Sequence, residues 1–106
     1  MRKCHVHLLP DLVEPAALAG AAVVVIDVLR ATTTMVHALV AGAKQLVLCG
    51  EIDEARHLHQ SGQYGSALLG GERQGIKVPG FDLGNSPTEY TPESVGGKTI
   101  IFTTTN

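Results

Sequence analysis

The sequence predicts an α/β fold, a mostly parallel sheet with helices on its faces. Three observations lead there. Short apolar runs alternate with helical stretches in a β-α-β-α-β order, which joins parallel strands by right-handed crossovers. Residues 21–29 are apolar and β-branched on both alternate faces, the pattern of a strand covered on both sides. Gly42 and Gly62 stand where two of the helices should end.

Taken in order, residues 4–9 read as a first strand stopped by Pro10, and residues 14–18 as a helical turn. The run 21–29 is the second strand, with Asp27 its only charge. A helix is predicted over 33–40, a strand over 45–49, and an amphipathic helix over 51–60 with Ile52, Ala55, Leu58 and His59 inward. A short strand follows at 67–69. Residues 70–87 are rich in Gly and polar residues and read as a long ordered loop pinned by Ile76, Val78, Phe81 and Leu83. A turn or short helix over 88–95 leads to a last strand over 98–105.

Composition narrows the function. A chain of 106 residues that is 44% hydrophobic builds one domain, residues 1–106, without disulfides. Cys4 and Cys49 read as buried thiols of a reducing compartment. Neither a signal peptide nor an apolar run of membrane-spanning length is present, so a cytoplasmic protein without membrane contact is expected. A net charge of −2 argues against a nucleic-acid surface, which needs a basic patch. Two Tyr, two Phe and no Trp give little to stack bases or sugars on.

Ligands of parallel sheets bind beyond the C-terminal strand ends. That rule gathers Asp27, Arg30 and Thr32, then Gly50-Glu51, then Gly70-Gly71-Glu72-Arg73, then Thr103-Thr104-Thr105-Asn106 on one edge, with residues 82–86 able to fold over them. Arg30 beside Thr32, Thr33 and Thr34 at a strand-to-helix turn suits a phosphate, which takes helix N–H groups and a two-pronged guanidinium. The plainer reading, a Thr N-cap with a surface Arg, explains one Thr but not three. Glu72-Arg73 alone could be a solvated ion pair, and Asp82, Asn85 and Ser86 could form an Asx-type turn. Strand alternation sends Thr103 and Thr105 to one face and Thr104 to the other. His5 and His7 share a strand face but lack a third zinc ligand; His57 and His59 do not face each other on a helix, and His37 lies at a helix margin. Cys49 and Arg56 lack the spacing of a cysteine-phosphatase loop. Leu29 stands where a haloacid-dehalogenase-type site has its second Asp, and no Walker A or Gly-x-Gly-x-x-Gly motif occurs.

Read together, Val25-Ile26-Asp27-Val28-Leu29-Arg30-Ala31-Thr32-Thr33-Thr34, Gly71-Glu72-Arg73, Gly80-Phe81-Asp82-Leu83-Gly84-Asn85-Ser86-Pro87 and Thr103-Thr104-Thr105-Asn106 resemble the motifs of the 2-phosphosulfolactate phosphatase family. Gly42-Ala43-Lys44 and Glu89-Tyr90 fit as well. The resemblance implies a three-layer α/β/α fold with a mostly parallel or mixed sheet, and a Mg²⁺-dependent phosphatase. It would turn 2-phospho-3-sulfolactate into 3-sulfolactate, a compound of coenzyme M biosynthesis. Family members are longer and continue the last motif with Gly-Thr, so the chain resembles the N-terminal part of a longer, here incomplete, fold. An exposed edge left by that shortening would favour a homo-oligomer.

On this reading Asp27, Arg30, Glu72 and Arg73 are the catalytic candidates. Asp27 ligates Mg²⁺ directly or through water, and Glu72 or Asp82 is the second ligand or the base for water. Arg30 with Thr32, Thr33 and Thr34 holds the phosphate. Arg73 and Lys77 meet the second anionic group, with Asn85 and Ser86 donating to it, and Thr103, Thr105 and Asn106 complete the substrate-binding set. The alternative is a truncated, non-catalytic α/β module that binds phosphate or sulfonate with the same residues.

Overall fold

The computed structural model describes residues 3–105. Four strands, β1 (Gln45–Leu48), β2 (Leu68–Arg73), β3 (Ile76–Lys77) and β4 (Thr99–Thr103), form one sheet in the order β1-β4-β2-β3. β4 is parallel to both β1 and β2, and β3 returns antiparallel to β2. The sheet is therefore mixed, and the α/β reading holds.

The central strand explains the layering. Every residue of β4 is buried. Ile100 and Phe102 face one core with Ala31 and Ala38 of helix α1 (Ala31–Val40), whereas Ile101 faces another with Ala55 of helix α2 (Ile52–Gln60). Alternation along the strand thus splits the two helices onto opposite faces, and each large β4 side chain contributes roughly 1.5–3 kcal/mol of burial. On the α1 face, Tyr90 meets Phe102 edge-to-face at 6.3 Å between centroids. The short helix α3 (Pro92–Val95) feeds β4 and is closed by a Thr91–Ser94 capping box. No helix among the described residues is long and apolar enough to cross a membrane.

Several elements differ from expectation. Residues 70–87 are not one irregular loop. β2 runs on through Arg73, and Gln74 and Gly75, both at positive φ, turn the chain straight into β3. A two-residue turn with both φ positive matches the twist of a hairpin, and it fixes the Arg73–Ile76 pairing. Residues 78–83 then lie back along β2: Gly71 N–H donates to Leu83 O at 3.0 Å, and Asp82 N–H to Leu69 O at 2.9 Å.

The sequence predicts strands over 4–9 and 21–29, and neither segment pairs. The first is exposed throughout, Cys4 included, which corrects its reading as a buried thiol. In the second, Val24 and Ile26 are each 82% exposed and Leu29 85%. An apolar run becomes a buried strand only if a sheet edge and two covering layers meet it. Here β1 and β3 end the sheet, and Val25, Ile26 and Val28 instead border a shallow apolar hollow beside Val36, His37 and Val40 of α1. Helix α1 also starts two residues before the predicted position, at Ala31.

Candidate anion-binding site

The site forms where α1 begins and where β2 and β4 end. Leu29, Arg30, Glu72, Gln74, Gly75, Asn85 and Thr105 line one open hollow of about 440 Å³. Four of these, Arg30, Glu72, Asn85 and Thr105, are candidates from the sequence; the ends of β2 and β4 bring Glu72 and Thr105 there, whereas Arg30 arrives at the start of α1 and Asn85 on the covering segment. Sequence reasoning misses Gln74 and Gly75. Only the hairpin places them there, and Gln-Gly is a weak turn signal beside Asn-Gly.

Glu72 is 6% exposed and organises the floor. Its carboxylate accepts the Gly75 N–H at 2.6 Å, the Thr105 N–H at 2.8 Å and the Thr105 hydroxyl at 3.2 Å. Burial pushes its carboxyl pKa up, but the backbone donors of Thr105 and Gly75, the Thr105 hydroxyl and the nearby Arg73 charge together outweigh it. The carboxyl titrates below its usual range, and Glu72 stays ionised. It ties the β2–β3 turn to the chain beyond β4.

Arg73 does not face the hollow. Its guanidinium donates to Glu72 O at 2.8 Å, to Gly50 O at 3.0 Å and to the Thr103 hydroxyl at 3.0 Å. That fork clamps the C-terminal ends of β1, β2 and β4. Thr103, 1% exposed, is thereby a structural partner, its hydroxyl also 3.3 Å from Gly50 O.

The three threonines after Arg30 have separate duties. Thr32 N–H donates to the Asp27 carboxylate at 3.3 Å, so Asp27 supplies the N-cap function expected of a Thr. The Thr33 hydroxyl donates to Val28 O. The Thr34 hydroxyl, fully buried, donates to Asn85 O at 3.1 Å and pins the 82–86 segment to α1. The Thr33 and Thr34 hydroxyls expected to bind phosphate are therefore committed to the protein. Arg30 is different. Exposed at the N-cap of α1, its guanidinium has no protein partner among the described residues and borders the hollow.

The remaining candidates lie apart. Asp82 caps the Leu69 N–H at 2.8 Å, Ser86 shares a hydrogen bond with Thr88, and Lys77 is exposed on β3. Asn106 lies outside the described residues. Asp27 borders the apolar hollow rather than the one Glu72 lines. Asp27, Glu72 and Asp82 thus do not assemble, and no group of three His, Cys, Asp or Glu that could hold a metal occurs among the described residues.

The glycines of β2 serve packing, not a ligand. A Cβ on Gly70 would sit 2.7 Å from the Tyr90 hydroxyl, and one on Gly71, at φ +147°, would overlap the Thr103 carbonyl. Tyr90 in turn donates to Gly84 O at 2.6 Å, while Glu89 accepts the Gly84 N–H at 2.8 Å, so the covering segment is fixed from behind.

A mixed sheet with helices on both faces, and a hollow at its strand ends bordered by an unpaired arginine, define an α/β protein with one open polar hollow at the sheet edge. The chain belongs to the 2-phosphosulpholactate phosphatase family, whose model matches residues 7–106. It is 59% identical over 85 residues to a probable 2-phosphosulfolactate phosphatase of Carboxydothermus hydrogenoformans, covering 80% of this chain and 34% of that protein. A protein of the same description from Caldanaerobacter subterraneus is 55% identical over 84 residues, 79% of this chain and 35% of its own length. One from Synechococcus sp. is 46% identical over 106 residues, all of this chain and 43% of its own. The chain spans about a third to two fifths of the length of these curated relatives.

Proposed function

We propose that the chain carries the anion-binding part of a Mg²⁺-dependent phosphoric monoester hydrolase acting on 2-phospho-3-sulfolactate. One observation carries this reading: Arg30 is unpaired and borders the same hollow as the buried amide of Asn85, in a protein of net charge −2. A guanidinium with two free N–H edges grips two phosphoryl oxygens and offsets the charge that builds on them during transfer. The names of the relatives supply the substrate. The same reading puts the reaction in the cytoplasm and its product in sulfolactate and coenzyme M biosynthesis.

The residues divide the work. Arg30 orients the phosphoryl group. Glu72, with three hydrogen bonds already on its carboxylate, holds Gly75 and Thr105 in place rather than moving a proton. Mg²⁺ takes one or two carboxylates and fills its octahedron with waters and substrate oxygens. Asp27 fits that demand best of the three candidates, because its carboxylate is engaged by a single long N–H contact, 3.3 Å from Thr32. An ion held there would supply positive charge three residues along the chain from Arg30, at the neck of α1.

The test is phosphate release from 2-phosphosulfolactate, with Mg²⁺ and with a chelator, by this chain and by a full-length relative. The arginine equivalent to Arg30, replaced by lysine in the relative, should lose about 10²-fold in kcat/KM, because a point charge cannot reproduce the fork. Activity near wild type in that variant overturns the role of Arg30. Ligand binding without release by either protein overturns the hydrolase reading and leaves a phosphate- or sulfonate-binding module.

A further inference from the structure

Gln74 is the one non-glycine residue at positive φ among the described residues, at +53°. It opens the two-residue turn between β2 and β3, and Gly75 follows at φ +78°. Such a turn favours Asn-Gly or Gly-Gly, because a longer side chain in the left-handed region crowds its own backbone. No contact in the fold offsets that cost. The Gln74 N–H donates to the Thr105 hydroxyl at 3.2 Å, a bond that any residue's backbone would make. Its side-chain amide has no protein partner among the described residues. Backbone strain that the fold itself does not use clusters at ligand sites.

Gln74 borders the hollow that Arg30 shares. The other polar side chains there are spent or covered. Glu72 and Thr105 bond each other, and Asn85 is buried. Arg30 and Gln74 are left, both exposed and both with uncommitted donors. The sequence points to Arg73 and Lys77 for a second anionic group, but Arg73 is held by Gly50 O and the Thr103 hydroxyl, and Lys77 does not border the hollow. We infer that Gln74 is a specificity-determining residue of this site: Arg30 takes the phosphoryl oxygens, and the Gln74 amide donates to a second oxyacid group of the same ligand, a carboxylate or a sulfonate. This rests on the anion-binding reading of Arg30.

The neutrality of the amide is what makes it selective. A second cation would draw in any anion, because charge attraction falls off slowly with distance. An amide has two N–H donors and no charge, so it acts only on an acceptor within hydrogen-bond reach. A phosphate ester without a second acidic group gains nothing from it. One that carries such a group gains a charge-assisted hydrogen bond.

The test titrates three probes by NMR into the 106-residue chain with no Mg²⁺ added: ethyl phosphate, phosphoglycolate and 2-sulfoethyl phosphate. Wild type should bind phosphoglycolate, 2-sulfoethyl phosphate or both roughly tenfold more tightly than ethyl phosphate, and which of them it prefers identifies the second group as carboxylate or sulfonate. Gln74→Met has nearly the same shape without the donors, and should lose that preference while ethyl phosphate binds as before. Gln74→Gly should lose it too, yet unfold at a midpoint no lower than wild type, since relief of the left-handed strain outweighs the added freedom of the unfolded chain. A preference that survives in Gln74→Met overturns the inference, as do equal losses for all three probes or a lowered midpoint in Gln74→Gly. Equal binding of the three probes by wild type overturns it while leaving Arg30 as an anion site. Binding of no probe by folded wild type overturns both this inference and the anion-binding reading.

Discussion

Glu72 holds Thr105 twice through one carboxylate, taking its backbone N–H at 2.8 Å and its hydroxyl at 3.2 Å. Together with the Gly75 N–H this joins the β2–β3 turn to the chain beyond β4, and so shapes one side of the hollow that Arg30 borders.

The first expectation follows from that ionised carboxyl. Its folded pKa lies below the unfolded value, which is about 4.3 for glutamate. The contribution to stability is therefore complete above the unfolded pKa and is lost as pH falls through the folded one. Glu72→Gln cannot accept three donors and should cost about 1–3 kcal/mol at pH 7, with a correspondingly shallower loss of stability on acidification. Urea unfolding of both proteins between pH 7 and about 3 measures this; parallel acid profiles would show that Glu72 is not the group responsible.

Two glycines at positive φ should respond very differently to alanine. Gly62 follows α2, and no heavy atom lies within 4 Å of the place a Cβ would take, so Gly62→Ala should cost about 1 kcal/mol, the backbone penalty alone. Gly71→Ala adds a clash with the Thr103 carbonyl where β2 and β4 pair, and should cost about 3 kcal/mol or abolish folding. Thermal unfolding of both decides it, and similar midpoints would contradict the β2–β4 packing.

Arg73 acts through its neighbours. Because its fork is spent on Gly50 O, Glu72 O and the Thr103 hydroxyl, Arg73→Ala in an active family member should reduce activity on a sulfonated phosphate ester and on a singly charged aryl phosphate by similar factors. It should also lower stability by about 1–3 kcal/mol. A loss confined to the sulfonated ester, with stability unchanged, would instead place Arg73 against the substrate.

For the metal, Asp27→Asn in an active relative should raise the Mg²⁺ concentration needed for half activation by about tenfold or more. The same change should barely affect folding, since an amide oxygen can still accept the Thr32 N–H. Unchanged Mg²⁺ dependence would remove Asp27 as a ligand.

The exposed run through Val24, Val25, Ile26 and Leu29 should make this chain self-associate, because an apolar patch of that kind seeks cover. Sedimentation at rising concentration should show growing mass, and Val24→Ser with Ile26→Ser should reduce it. A single monomeric species throughout would refute this.

Local signals in the chain were enough to set the alternation of elements. Helix α2, strand β1 and the 3₁₀ turn Pro15–Leu18 fall within the helix, strand and helical turn read over 51–60, 45–49 and 14–18. The motifs were likewise enough for the family, and for the strand-end location of Glu72 and Thr105, since a parallel sheet sends every strand-to-helix connection out at the same edge. Which groups remain available at that edge was settled only on folding. Whether a threonine hydroxyl, an arginine fork or a glutamate is free depends on which backbone atoms lie within hydrogen-bond reach, often across long stretches of sequence, as Thr34 with Asn85 and Arg73 with Thr103 show. The same holds for residues 21–29: their pattern is that of a buried strand, but burial belongs to the neighbours a strand meets and not to the strand.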